Sequence, residues 1–449
     1  TRFASGGNVK IAPIDRPGQS VSRNALTFTT DLATGDYKED AYRYTVTQTG
    51  TFLVFATLIT SYNGTTVPDT SATLLTANPT PGGVVQVQLN KGGSLSTLSF
   101  QQPAMERLDS AGTSRGTDND LIYDSTGRLH QVWFDRDTRN LKYATRETNG
   151  VWTIAQVIDN NLDAGLYPSI DIAPNGTVGV AYFDGQNGDL KYAHLSNIYK
   201  SWQTETVDSV GSVGLYPSLK FSRNSGAVIA YYNRTKGQLR LAITQTNGFQ
   251  ISILDGTAAN TDVGRFASLQ IDPNRPSASK WAIVYEDTRN GKYKYTIEQG
   301  TGWSTSVIDT SLQLAGGYAS LAFYDTGSTD PTVRYRPAAS YYDAGDTALK
   351  YSYFNGSTWV PQTVAAAKIQ GLYTNLFFTG AAGNQKPNIY FYDRSNNLAK
   401  RAVGANVAGS WNYTVLGDGG RAMRIGRFGA NVAWTNLDES VGTLTTVIL

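Results

Sequence analysis

The sequence predicts an all-β protein in which a small antiparallel β-sandwich precedes a seven-bladed β-propeller. Three observations support this fold class. A unit of about 50 residues recurs along the chain, and self-similarity at that period is typical of one supersecondary unit copied around a closed array. Each complete copy contains four short strand-like runs, which together describe one propeller blade. Residues 26–100 alternate in the manner of strands, and no segment among them shows the 3.6-residue period of a helix.

The repeat is clearest from Gly165 to Trp202, where the chain reads Gly-Leu-Tyr-Pro-Ser, Val-Ala-Tyr-Phe-Asp, Leu-Lys-Tyr-Ala and then Trp. The copies begin at Gly116, Gly165, Gly214, Gly264, Gly316, Gly371 and Gly420, at steps of 49, 49, 50, 52, 55 and 49 residues. The first strand follows the glycine, and the second ends in two aromatic residues and a short acid or amide. The third strand begins with Leu-Lys-Tyr or a variant of it, and Trp or Phe leads the fourth.

The last copy indicates how the array closes. It holds three strands, at Ala422–Ile425, Asn431–Trp434 and Leu444–Leu449. Residues 105–110, before the first copy, match a fourth strand, because Met105–Ser110 resembles Thr204–Ser209. The segment that enters the propeller is therefore predicted to supply the outer strand of the last blade.

Residues 101–449 are thus assigned to the propeller, and the chain before them divides in two. Residues 1–25 contain glycines and prolines without periodicity and predict an extended N-terminal arm. This arm is either a disordered terminus or a strand that docks on a neighbouring chain and drives self-assembly. Residues 26–100 alternate in the manner of strands and predict the β-sandwich.

Within residues 26–100 the strongest local signal is a hairpin. Tyr42–Val46 and Thr51–Phe55 both alternate between polar and apolar residues, and the turn between them contains a glycine. Two further strands are predicted at Ser71–Leu75 and Val84–Leu89.

Two families resemble parts of this chain. The run Asp40-Ala-Tyr-Arg-Tyr-Thr-Val-Thr-Gln-Thr-Gly-Thr-Phe resembles the opening of bacterial pre-peptidase C-terminal domains, which implies an accessory β-sandwich of a secreted protein, without an active site. The Tyr-Pro-Ser and Leu-Lys-Tyr repeats resemble those of bacterial seven-bladed propellers over roughly 340 residues. Those propellers include lectins, lyases and proteins of unknown role, so this resemblance implies a fold and not an activity.

Composition excludes several classes of function. The 38 basic and 36 acidic residues leave a net charge of +2, without the excess of basic residues that nucleic-acid binding requires. The absence of cysteine excludes disulfides, thiolate catalysis and Cys-ligated metals. No apolar run approaches the roughly 18 residues of a membrane span. A low charged fraction of 16% with no cysteine favours a bacterial protein that is secreted or held at the cell surface.

A short polar residue recurs where each second strand turns into the third. The seven positions are Asp135, Asp184, Asn233, Asp287, Asp343, Asp393 and Asn436. Asp and Asn close such turns by bonding the backbone two positions further on, and this role is the favoured interpretation. The alternative is calcium in one or two of these loops, since Asp346 follows Asp343 closely. No other cofactor is predicted.

Motifs of catalysis are scarce in the sequence. His130 and His194 are the only histidines, and neither has a partner at metal-ligand spacing, so both are expected to be structural. The tryptophans of the fourth strands are expected to pack between blades, with sugar stacking as the alternative. The Asp-box of sialidases, the Gly-x-Ser-x-Gly elbow and phosphate loops are absent. No catalytic residue and no metal ligand is therefore nominated.

The repeat breaks at the rim of the central channel. Two positions after the glycine, five copies carry an aromatic residue, namely Tyr167, Tyr216, Phe266, Tyr318 and Tyr373. The first and seventh copies carry Asp118 and Ala422 instead, and four positions after the glycine they carry Asp120 and Arg424 in place of Ser or Asn. Because the first strand of a blade lines the channel, one sector of the rim is predicted to be charged, with Arg421 beside it.

Two interpretations of this rim stay open. Terminal repeats are usually atypical, so the charges could pair with one another and serve closure of the ring. Alternatively, Asp118, Asp120, Arg421 and Arg424 bind a ligand together with the five aromatic residues. The predicted function is an exported, non-enzymatic binding or assembly protein whose partner is a glycan or a surface protein. A polysaccharide lyase or glycoside hydrolase on a propeller is the alternative, and acid and base groups converging on one pocket would favour it.

Overall fold

A computed structural model describes residues 115–448, except 154, 197–200, 275–279, 367, 430 and 439–442, together with the backbone of nine strands that precede residue 108. Every regular element among these residues is a β-strand. Within the described part of the chain, no helix is long and apolar enough to cross a bilayer.

The strands before residue 102 form three small antiparallel sheets. One sheet pairs Asn8–Lys10 with Thr60–Tyr62, the second contains Ser20–Thr30, Tyr37–Thr47 and Leu53–Phe55, and the third contains Thr70–Leu74, Val84–Lys91 and Ser94–Gln101. The predicted hairpin is present, with Thr47 opposite Leu53. Ser20–Thr30 begins inside the segment predicted as an arm, and the side-chain packing of the predicted sandwich lies outside the described residues. The boundaries at residues 25 and 100 stay a prediction.

Seven four-stranded antiparallel sheets follow, which confirms the seven-bladed β-propeller. We number the blades in chain order and call their strands inner, second, third and outer. Blade 1 contains Arg115–Tyr123, Leu129–Asp135, Asn140–Arg146 and Gln156–Asp159. Blade 2 contains Ala164–Ile172, Val178–Asp184, Asp189–Leu195 and Trp202–Asp208. Blade 3 contains Val213–Phe221, Ala227–Asn233, Gln238–Gln245 and Gly248–Asp255. Blade 4 contains Val263–Ile271, Trp281–Asp287, Lys292–Gln299 and Gly302–Val307. Blade 5 contains Ser320–Asp325, Tyr335–Asp343, Ala348–Phe354 and Trp359–Ala365.

Blade 6 contains Gln370–Thr379, Lys386–Asp393, Leu398–Asn406 and Gly409–Asp418. Blade 7 contains Ile425–Phe428, Asn431–Asp438, Thr443–Ile448 and Ala104–Arg107. The inner strand of blade 7 begins at Ile425, whereas the sequence places it at Ala422–Ile425. The cause is a turn, in which the Met423 N–H donates to the Gly420 carbonyl over 3.3 Å and Ala422 adopts a φ of 56°.

Neighbouring blades are joined by apolar clusters and by a repeated polar contact. Between blades 2 and 3, for example, Leu190, Leu219 and Ile229 are buried together. Beside this cluster, Asp208 at the end of one outer strand accepts from the Tyr231 hydroxyl over 2.7 Å and from Arg240 Nη1 over 2.8 Å. We call such a set an aspartate clasp. Four clasps lie in series, Asp159 with Tyr182 and Lys191, Asp208 with Tyr231 and Arg240, Asp255 with Tyr285 and Lys294, and Asp309 with Tyr341 and Lys350.

The turn role predicted for the short polar residues is confirmed in blades 1 to 6. Asp184 is typical, since its Oδ1 accepts from the N–H groups of Gln186 and Asn187, both over 3.1 Å. The others are Asp135, Asn233, Asp287, Asp343 and Asp393. Asn436 differs, because its Oδ1 accepts from the Gly420 N–H over 2.7 Å. Calcium at these loops stays a prediction, and no three His, Asp or Glu side chains among the described residues form a group that could hold a metal ion.

Acidification is expected to lower the free energy of unfolding. Burial by itself raises the pKa of Asp159, but Lys191, Asn161 and Tyr182 hold that pKa below 3.8 through hydrogen bonds and charge. A carboxyl group whose pKa is lower in the folded state contributes stability above its unfolded pKa, and that stability is lost as the pH falls through the folded pKa. The midpoint of urea unfolding should therefore drop between about pH 4 and pH 2.

The variant Asp159→Asn isolates this contribution. It should be less stable than the wild-type protein at pH 7, and the difference should shrink as the pH falls through the lowered pKa of Asp159. The comparison is needed because burial raises the pKa values of Asp120 and Glu286, which shifts the stability curve in the opposite direction. A difference that stays constant from pH 7 to pH 2 would contradict the role assigned to the Asp159 clasp.

Candidate functional site

Five aromatic side chains stand in an arc around one mouth of the central channel. They are Tyr167, Tyr216, Phe266, Tyr318 and Tyr373, one from each of blades 2 to 6. Four of them lie in inner strands, and Tyr318 lies two residues before the inner strand of blade 5. Successive ring centroids are 4.6, 4.2, 5.2 and 4.3 Å apart, so each ring contacts the next. We call this set the aromatic arc. All five side chains are half-buried.

A β-bulge in the inner strand positions the ring in blades 2, 3, 4 and 6, whereas Tyr318 of blade 5 lies before the paired residues of its inner strand. In blade 2, Leu166 pairs with Phe183 and Ser169 with Ala181, so three steps on the inner strand oppose two on the second strand. Tyr167 lies in this bulge with a φ of 52°, and its four counterparts have φ values of 52°, 50°, 57° and 52°. Left-handed backbone is uncommon for a bulky residue and costs of order 1–3 kcal/mol. The sequence signals the position through Gly-Leu-Tyr-Pro but does not reveal the backbone conformation.

Neighbouring tyrosines of the arc affect one another's ionisation, with Tyr216 acting on Tyr167 and Tyr373 acting on Tyr318. Burial, together with the neighbouring tyrosine, raises the pKa of Tyr167 and of Tyr318 above the usual value. These phenols therefore keep their protons at neutral pH and act as hydrogen-bonding groups rather than as bases.

The arc is interrupted at blades 1 and 7, where Asp118 and Ala422 occupy the aromatic positions. The mouth encloses a cavity of about 530 Å³, and its wall in this sector also carries Arg136, Arg421 and Arg424. The structure thus brings eight of the nine predicted rim residues to one cavity, namely Asp118, Tyr167, Tyr216, Phe266, Tyr318, Tyr373, Arg421 and Arg424. Whether they bind a ligand stays a prediction.

Arg424 lies at the narrow part of the channel. It lines both the mouth cavity and a second cavity of about 330 Å³. Its Nε donates to the Asn119 carbonyl over 3.3 Å, and its backbone N–H donates to Thr435 Oγ1 over 2.8 Å. Asn119 in turn donates from Nδ2 to the Ala422 carbonyl over 2.9 Å. The guanidinium of Arg424 is therefore bonded to the backbone of blade 1, while its own backbone is bonded within blade 7.

Asp120 lies in the second cavity and not at the mouth. Its two carboxylate oxygens accept from the N–H groups of Leu121 and Ile170, both over 3.0 Å, and burial raises its pKa. The bond to Ile170 joins blade 1 to blade 2. The same position in the next four blades carries serine, and each serine hydroxyl accepts from the following blade, namely Ser169 from Leu219, Ser218 from Leu269, Ser268 from Leu321 and Ser320 from Leu376.

This series of bonds runs around the whole channel. Asn375 Nδ2 donates to the Met423 carbonyl over 3.3 Å and joins blade 6 to blade 7. Asn119 and Arg424 then join blade 7 to blade 1. The position of Asp120 is therefore a structural link between blades. Its carboxylate oxygens bond to backbone N–H groups, while the charge of Arg424 lowers its pKa against the effect of burial. The pairing of Asp120 with Arg424 stays a prediction.

Sequence reasoning missed two residues of the site. Arg136 lies in the turn after the second strand of blade 1, and the equivalent residues of the other copies are Gly185, Arg234, Thr288, Ala344, Arg394 and Leu437. Because arginine recurs in two of them, the repeat does not single out Arg136. Asn119 is buried between blades 1 and 7, and its role depends on a contact across 303 positions of the chain.

The two histidines take no part in the mouth cavity. His130 is buried in blade 1, with Nδ1 2.6 Å from the Tyr143 hydroxyl and Nε2 3.3 Å from Asp124 Oδ2. His194 stacks against Tyr192 in blade 2 at a centroid distance of 5.8 Å. Both are accommodated by contacts within a blade.

No family model matches the chain, and no curated protein matches it. Solved structures resemble it at low identity. A lectin of Aleuria aurantia in complex with Fucalpha1-6GlcNAc is 16% identical, with 67% of this chain and 95% of that chain covered and a TM-score of 0.43. A GH93 alpha-L-arabinofuranosidase of Fusarium graminearum in complex with arabinobiose is 11% identical, with coverage of 63% and 92% and a TM-score of 0.42. At these identities and scores the matches carry no argument about function.

Proposed function

We propose that this protein binds a carbohydrate at the channel mouth and does not turn it over. The observation that carries the proposal is the aromatic arc, because five blades hold a bulky residue in the same left-handed conformation. Backbone strain of this kind persists where the surrounding structure enforces it, and it clusters at binding sites. Tyr167 and Tyr216 also pack beside the buried cluster of Phe183, Leu215 and Tyr232, and all five rings of the arc line the mouth cavity.

The chemistry of the mouth suits a sugar. Aromatic side chains offer apolar surface with a polar tip, and the hydroxyl groups of Tyr167 and Tyr318 are available in the protonated form to the cavity they line. Asp118 and the arginines opposite supply acceptors and donors for sugar hydroxyl groups. An apolar wall with a few convergent polar groups is typical of small-ligand sites.

The same cavity supports binding over catalysis. Asp118 is the one carboxylate among the described residues of its wall, whereas glycoside hydrolysis uses two carboxyl groups about 5–10 Å apart. A lyase needs a base near the sugar, and the raised pKa values of the arc tyrosines disfavour that role. We place the protein outside the cell or at its surface, on the support of its low charge and lack of cysteine.

A glycan array with the full chain, followed by calorimetry on its best ligand, tests the proposal. Tyr216→Ala removes the ring that packs against Tyr167 at a centroid distance of 4.6 Å, so that Tyr167 loses its support, and should weaken binding about 10- to 100-fold, roughly 1.4–2.7 kcal/mol. Tyr413→Ala is the matched control, since Tyr413 is 52% exposed on the outer strand of blade 6. Thermal melting of both variants separates a lost site from a lost fold.

Three results would overturn parts of the proposal. Unchanged affinity of Tyr216→Ala would move the site away from the arc. Failure of every glycan on the array to bind would end the carbohydrate assignment. Release of reducing ends or of unsaturated uronates above background would favour the lyase or hydrolase alternative.

A further inference from the structure

We infer that the ligand places one carboxylated sugar ring in the interruption of the arc at blades 1 and 7, with its carboxylate on Arg424. This inference rests on the proposed function and adds two claims to it. The site is single although the fold is a repeat, and the sugar is acidic.

Most of the aromatic faces in the arc are covered by neighbouring rings, which limits where a sugar could stack. Tyr216, Phe266 and Tyr318 each lie between two other rings of the arc, at centroid distances of 4.2–5.2 Å. At such distances neighbouring rings occupy one another's contact surfaces. Tyr167 and Tyr373 end the arc and have one arc neighbour each, so the arc offers its stacking surface at its two ends.

Between those ends lie the two positions where the arc is interrupted. A complete ring of seven positions would carry an aromatic residue in each blade, but Asp118 and Ala422 leave two adjacent positions without a ring. Ala422 keeps the left-handed conformation of the aromatic residues, with a φ of 56°, so its backbone follows the same path without the side chain. The space of two missing rings lies next to Tyr167 and Tyr373 and suits one pyranose with its substituents.

The cavity wall at the interruption of the arc carries more positive than negative side chains. The wall of this sector carries three arginines, Arg136, Arg421 and Arg424, against one carboxylate, Asp118. Arg424 is half-buried, and among the described residues no carboxylate lies within hydrogen-bonding distance of its guanidinium. The nearby Asp120 gives its oxygens to backbone N–H groups instead. A half-buried arginine fork favours a planar anion that accepts two parallel bonds, which is the geometry of a carboxylate.

Calorimetry with matched pairs of oligosaccharides tests both claims on the full chain. The acidic members are oligogalacturonate, oligoglucuronate, oligomannuronate and sialyllactose, and each is compared with its carboxyl-reduced or neutral counterpart. At least one acidic member should bind ten or more times more tightly than its counterpart, with one ligand per chain. A sulfated neutral oligosaccharide is included, because a sulfate is an anion without the planar carboxylate.

Two variants assign the carboxylate to its partner. Arg424→Gln should abolish the tenfold preference, so that the acidic member and its neutral counterpart bind with equal affinity. Arg427→Gln is the control, since Arg427 is exposed, lines the second cavity and donates from Nη1 to the Phe378 carbonyl over 3.0 Å. It should retain the preference. Melting curves verify that both variants are folded.

The outcomes separate this inference from the proposed function. Equal affinity for acidic and neutral members, a preference for the sulfated one, several ligands per chain, or an unchanged preference in Arg424→Gln would each overturn the inference. If an array glycan still binds and Tyr216→Ala weakens it, the proposed function stands alone. If no glycan binds in any experiment, both fail.

Discussion

Gly214→Ala is expected to destabilise the propeller by about 2–4 kcal/mol. Gly214 precedes the bulge of blade 3 and has a φ of 95°, which L residues rarely adopt. A Cβ at this position would lie 2.5 Å from Leu190 Cα and 2.9 Å from Leu190 N, which are backbone atoms of the preceding blade. The inner strand could accept the methyl group only by moving away from its neighbour. Urea unfolding measures the loss.

Gly248→Ala is the matched control for Gly214→Ala. Gly248 has a φ of 96°, but a Cβ added there would meet nothing within 4 Å. This variant carries the conformational strain without the collision, and its cost should stay near 1 kcal/mol. Equal losses in the two variants would show that the left-handed backbone alone selects glycine, and that the close approach of the blades does not.

Asp208→Ala is expected to cost about 3–5 kcal/mol, because it leaves a charge uncompensated inside the protein. The side chain of Asp208 is 4% exposed, and that of its partner Arg240 is 14% exposed. Removing the carboxylate also leaves the fully buried Tyr231 hydroxyl without its acceptor. The midpoint of thermal unfolding should fall accordingly.

The exposed ion pair of Arg139 and Asp163 provides the comparison for Asp208→Ala. The two side chains are 47% and 32% exposed, so Asp163→Ala should cost at most about 1 kcal/mol. A large loss in Asp163→Ala, or a small loss in Asp208→Ala, would mean that burial does not determine the strength of these contacts. The double variant Asp208→Ala/Arg240→Met should recover part of the loss, since it removes the stranded charge as well.

Much of the fold could be predicted because the repeat exposes it directly. The spacing of the glycines indicates the number of blades, and the short acids after the second strands behave as the turn residues that the pattern favours. Eight of the nine predicted rim residues meet at one cavity, because a blade position that lines the channel in one copy does so in all. Comparison of equivalent positions in several copies therefore predicts channel-lining residues that one copy alone would not reveal.

What escaped prediction depends on contacts between copies. The sequence places Asp120 at the rim because it breaks the serine series. In the structure, however, Asp120 accepts from the N–H of Ile170 in the next blade, as the serines do from the blades that follow them. A polar substitution can preserve a structural bond while it looks like a new function. The bulge conformation of Tyr167 and the placement of Arg136 depend likewise on neighbouring strands, and local sequence preferences do not report them.

The interruption of the aromatic arc has a consequence for how copies of this protein act together. A repeat protein with one site in every blade could hold several glycan chains at once and crosslink them, so a single molecule would agglutinate particles that display the sugar. If this protein binds one glycan chain at the interruption of its arc, as we propose, a single molecule cannot bridge two surfaces. Crosslinking by this protein would therefore require at least two chains held together. The avidity of the protein for a surface that displays the sugar would then depend on how many chains are assembled.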